Sequence, residues 1–74
     1  MDTLTLKGRG GVEVTLFAPR EVPGGLEACA VMVLVSASRP RIVKHQNRKY
    51  RLPALPPRGF YMATLLIPEA PRGS

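Results

Sequence analysis

Leu26-Glu27-Ala28-Cys29-Ala30-Val31-Met32-Val33-Leu34-Val35-Ser36-Ala37-Ser38 is the stretch on which the fold turns. It is the most apolar part of the chain and holds neither proline nor glycine. Its valines, set beside Met32 and Leu34, favour an extended strand, because branching at Cβ crowds a helical turn and suits a pleated surface. Leu26-Glu27-Ala28-Cys29-Ala30 would by contrast suit the start of a short helix. As a strand the stretch is apolar on both faces. A strand covered on both sides in so small a protein is central to a closed barrel, or lies against a partner chain. Cys29, inside the run Ala28 to Val35, reads as a small buried hydrophobe.

On the N-terminal side, Thr3-Leu4-Thr5-Leu6 and Val12-Glu13-Val14-Thr15-Leu16 alternate with period two around Gly8-Arg9-Gly10-Gly11, which predicts a hairpin. Leu4 and Leu6 share one face with Val12, Val14 and Leu16; Thr3, Thr5, Glu13 and Thr15 face water. The glycines lack phosphate-loop spacing and lead into a strand instead of a helix, so they read as a turn. Pro19 and Pro23-Gly24-Gly25 mark the next loop.

On the C-terminal side, Ser38-Arg39-Pro40 breaks the central element. Ile42 to His45 and Lys49 to Leu52 then read as short strands around Gln46-Asn47-Arg48. Pro53 to Gly59 is a proline-rich connector in polyproline II form. Its Pro53-x-x-Pro56 pattern superficially looks like an SH3-domain ligand, but a rigid spacer is the better reading. Phe60 to Ile67 is the last apolar element, stopped by Pro68-Glu69-Ala70-Pro71. The sum is a mainly β fold: a five- or six-stranded small barrel or rolled antiparallel sheet, SH3-like or OB-like by architectural analogy only. Residues 1–71 form one domain and 72–74 a flexible tail.

At 74 residues, a domain buries only about 60% of its unfolded surface and needs an efficient core, a staple or a partner. One cysteine and one histidine supply neither a disulfide nor a zinc set. No cofactor is expected. The apolar runs fall far short of the roughly 20 residues that span a bilayer, and the N-terminus has no basic stretch leading into an apolar one. A cytoplasmic protein without membrane contact is expected. Proline-rich loops with one Asn and one Gln fit a thermophile or a GC-rich coding bias alike.

The charge is unevenly placed. The chain carries +6, and Arg39, Arg41, Lys44, Arg48, Lys49 and Arg51 alone account for it within an acid-free segment. Arg58 adds another cation, and no Asp or Glu occurs between Glu27 and Glu69. Solubilising charge is normally mixed in sign, so this segment predicts a nucleic-acid-binding surface. These cations would neutralise phosphates, with Tyr50, His45 or Tyr61 stacking on bases. Lys49 and Arg51 share one side of a strand, Tyr50 and Leu52 the other. RNA or single-stranded DNA is favoured, with little sequence specificity, because nothing resembles a recognition helix. Lys7 and Arg9 in the first turn are the alternative location. A plainer account makes the cations a guard against sheet-edge aggregation. The competing function is a homo-oligomeric structural or adaptor protein that docks an acidic partner or self-associates through the apolar strands 28–35 and 60–67. His45 has no acid near it in sequence, and no catalytic motif is present, so enzymatic activity is not expected.

Overall fold

The alternating segments form the expected hairpin: Thr3–Lys7 (β1) pairs antiparallel with Glu13–Phe17 (β2), placing Leu4 opposite Leu16 and Leu6 opposite Val14. A short 3-10 turn, Arg9–Gly11, joins them, with Gly10 and Gly11 both at φ +78°. In the computed structural model, which describes residues 2–55 and 58–71, seven further strands follow among the described residues. They are Arg20–Val22 (β3), Gly25–Ala28 (β4), Ala30–Val35 (β5), Arg41–His45 (β6), Arg48–Leu52 (β7), Gly59–Tyr61 (β8) and Leu65–Pro68 (β9). The protein is mainly β and every ladder is antiparallel.

Three sheets result, ordered β1-β2-β5-β8, β3-β4-β9 and β6-β7. The first two are one bent surface. Thr15 opposes Met32 in β2–β5, and Arg20 opposes Glu27 in β3–β4 with the same register, so residues 13–22 run beside 25–35 on both sides of a corner. Likewise Leu26 opposes Ile67 and Val31 opposes Tyr61, so 59–68 follows the same bend with a one-residue shift. Ala18, at φ +51°, makes the corner on one strand. Cys29 makes it on the next. Strands that change sheet at such bends build a two-layered core without a disulfide.

This corner accounts for two corrections. The long apolar stretch is a strand, not a helix, yet it is broken at Cys29 into β4 and β5; Phe60 to Ile67 is broken in the same way into β8 and β9. Cys29 is exposed instead of buried, its N–H donating to the Phe17 carbonyl at 3.1 Å and its thiol to the same oxygen at 3.4 Å. A corner residue points outward because its neighbours on both sides belong to different sheets. The two splits add two strands and Arg20–Val22, expected to lie in a loop, adds a third, so nine strands stand among the described residues against the five or six predicted.

Val14, Leu16, Val31 and Val33 from the first sheet meet Leu26 and Ile67 from the second, and Val43, Tyr50 and Leu52 from the β6–β7 hairpin close the core. The hairpin reaches the second sheet through a bridge between Tyr50 and Glu69, but no ladder joins β6 to β1, so no closed barrel forms among the described residues. Gly8 packs against Val43 at that seam, where a strand pair would have to run. Thr15 also departs from expectation. It is 8% exposed, because Met32 flanks it on β5, and its hydroxyl is paired with that of Thr5 at 3.1 Å. Pro56, Pro57 and the 72–74 tail lie outside the described residues, and with them the Pro53-x-x-Pro56 pattern. No helix of the described residues is long and apolar enough to cross a membrane.

Candidate nucleic-acid interface

Strand alternation sorts the basic hairpin into two faces. Lys44 opposes Lys49 and Ile42 opposes Arg51 on the outer face; Val43 opposes Tyr50 on the inner face. The two-residue turn Gln46-Asn47, with φ of 49° and 65°, is of the kind whose twist matches its flanking strands. It fixes the register, and with it which cations face outward.

The outer face is the floor of a trough. On the β6 side stands the 3-10 turn, close enough that a β-carbon on Gly10 would lie 4.0 Å from Arg41 Nη2. On the β7 side runs the chain after β9, tied down by the Ala70 N–H donating to the Lys49 carbonyl at 2.8 Å. The cleft between them is about 700 Å³, with Arg9, Arg41, Lys44, Lys49 and Arg51 as its cations and Pro40, Ile42, Ala70 and Pro71 as its apolar wall. A space of several hundred Å³ is the size of a small-ligand pocket.

Among the described residues its cations have no ionic partner. The ion pairs among the described residues are Lys7–Glu13 at 3.6 Å and Arg20–Glu27 at 2.8 Å, and neither involves a trough cation. Lys44 and Lys49 sit directly across the ladder, an arrangement that destabilises a hairpin when both residues carry the same charge. The Nε of half-buried Arg41 is shut off from solvent and has no hydrogen-bond partner among the described residues. A donor of a charged group left in that state is costly. An anion in the trough would relieve the repulsion between the two lysines.

Of the residues expected at the site, the structure gathers Arg41, Lys44, Lys49 and Arg51 and disperses the rest. Tyr50 is a correction: it is 2% exposed, inside the core, and has no face free for a base. Its alternation with Lys49 and Arg51 requires this, since a face shared with Leu52 is the apolar one. Tyr61 is half-buried against the same core. His45 and Arg48 oppose each other at the hairpin end, outside the trough. Arg39 is exposed in the bend before β6. Arg58 lies across the molecule beside Met32, Leu34 and Phe60 at a smaller cavity of about 350 Å³. Arg9 is the addition. Its signal in the sequence is a cation at the tip of a glycine turn, but its partners are more than thirty residues away.

No protein-family model, curated protein or solved structure matches this chain.

Proposed function

We propose that this protein is a non-enzymatic basic β module that binds nucleic acid through the phosphate backbone, using Arg9, Arg41, Lys44, Lys49 and Arg51. The observation that carries the proposal is the trough itself: cations from two distant segments converge on one cleft, and among the described residues no carboxylate is paired to any of them. Charges that only guard a sheet edge have no need to converge, nor to oppose one another across a ladder. With Tyr50 in the core and no aromatic lining the cleft, recognition is by charge and not by stacking. Little base specificity follows. A trough between two walls suits a single strand of RNA or DNA better than a duplex.

Fluorescence anisotropy with mixed-sequence oligonucleotides over a salt series tests this. About three phosphate contacts give a log–log slope of roughly −2 for a single strand. Absence of binding at low salt would remove the proposal.

A second reading has its own support. The outer face of the β1-β2-β5-β8 sheet presents Leu34 at 45% and Phe60 at 53% exposure, with Phe60 edge-on to Phe17 at 5.3 Å between ring centroids. An apolar patch of this kind suits self-association or an adaptor role. On that reading light scattering at micromolar concentration shows a stable oligomer; a strict monomer that binds oligonucleotides excludes it.

A further inference from the structure

The trough carries more positive charge than the run of backbone it can hold would neutralise. Lys44 and Arg41, at its two ends on β6, are three residues apart, about 10 Å at the rise of an antiparallel strand. A stacked strand places about three phosphates in that length. Three diesters bring three negative charges, against five cations. The remaining positive charge lies beside the 3-10 turn, which carries Arg9 and against whose Gly10 the Arg41 guanidinium lies.

Arg41 is the unusual member of the set. Its Nε is buried and unpartnered, and its guanidinium lies against Gly10. Arginine recognises phosphate best through two parallel donors of its planar fork. In the present pose one of those donors is unused, so a ligand that draws the guanidinium toward the cleft satisfies Nε and Nη together. An internal diester is a poor ligand for this. It carries one charge and has two free oxygens. A phosphate monoester has three free oxygens, about −1.5 to −2 charge at neutral pH, and only one arm.

We infer that the part of the trough beside the 3-10 turn is a seat for a phosphate monoester, held by Arg41 and Arg9, so that the protein prefers strands ending in a phosphate. This rests on the backbone reading above and sharpens it from any strand to a phosphorylated strand end. Lys44, Lys49 and Arg51 then hold the nucleotides that follow.

The test uses one twelve-nucleotide single strand in three forms, with a 5′-phosphate, a 3′-phosphate, or hydroxyls at both ends, each titrated by anisotropy at fixed salt. One phosphorylated form is expected to bind about tenfold more tightly than the hydroxyl-ended strand, and inorganic phosphate competes with that preference. Arg41→Lys, which keeps the charge and removes the fork, is expected to bring the ratio toward one in protein whose circular dichroism is unchanged. Arg39→Lys, outside the trough, keeps the ratio. Equal affinity for all three strands overturns the inference and leaves the backbone reading standing. Absence of binding by any strand overturns both. A tenfold preference that survives Arg41→Lys places the seat elsewhere and also overturns it.

Discussion

Tyr50→Ala lowers the stability of the protein by about 3–5 kcal/mol, the cost of deleting a buried aromatic ring. Tyr50 is 2% exposed and is the largest of the fully buried side chains. It opposes Val43 across the hairpin and is bridged to Glu69 on its other side, so its ring joins the basic hairpin to the rest of the core. A domain of this length is stable by roughly 4–11 kcal/mol, at about 0.05–0.15 kcal/mol per residue. The loss is a large share of that margin, so the unfolding midpoint falls well below that of wild type. Circular dichroism in urea reads this directly. An unchanged unfolding midpoint together with weaker oligonucleotide binding would return Tyr50 to the surface as a stacking residue.

Gly25→Ala has the second large effect, about 3 kcal/mol, through backbone collision instead of a cavity. Gly25 opposes Pro68 where β4 meets β9, and a β-carbon there would overlap the Ile67 carbonyl oxygen and lie 2.9 Å from Pro68 Cα. Neither atom belongs to a side chain that can rotate away. β9 must move, and with it Ile67, which is fully buried. Gly24→Ala is the control. Its added methyl meets nothing within 4 Å, but its φ of +92° leaves a conformational cost of about 1–2 kcal/mol. Thermal unfolding of the pair separates collision from strain; equal losses would show that Gly25 is not held against β9.

The parts of the fold that the sequence makes legible are those decided between near neighbours. The β1–β2 register follows from alternation on both sides of one glycine turn, and the outer face of the β6–β7 hairpin follows from Lys44, Lys49 and Arg51 once its turn is placed. What is not legible depends on distant partners. Nothing local marks Cys29 as a break, since neither proline nor glycine is near it. The break exists because Leu26 is paired with Ile67 while Val31 is paired with Tyr61, one residue out of step. The same holds for Arg9, whose place at the trough is set by the packing of β1 against β6. Tyr50 differs from both. The pattern that puts it opposite Lys49 and beside Leu52 is local, and it points to the core.

The outer apolar face of β5 is the counterpart of the trough on the other side of the core. The inward faces of the first sheet and of β6–β7 meet in the core, so their outward faces point apart. Self-association through Phe60 and Leu34 would leave the cations free. The two readings of function are therefore compatible in one molecule.

The central claim is that a located set of cations, not the net charge, binds the backbone. Two double variants of equal charge test it: Arg9→Ser with Lys44→Ser inside the trough, and Arg39→Ser with Arg58→Ser outside it. All four side chains are exposed, so each substitution costs within about 0.5 kcal/mol in stability. Oligonucleotide affinity is measured for both proteins over one salt series. The trough variant is expected to bind more weakly at every salt concentration, with a slope shallower than wild type by about 1.4 for two lost single-strand contacts, while the outside variant keeps the wild-type slope. Equal weakening and equal slopes in the two variants would contradict the account.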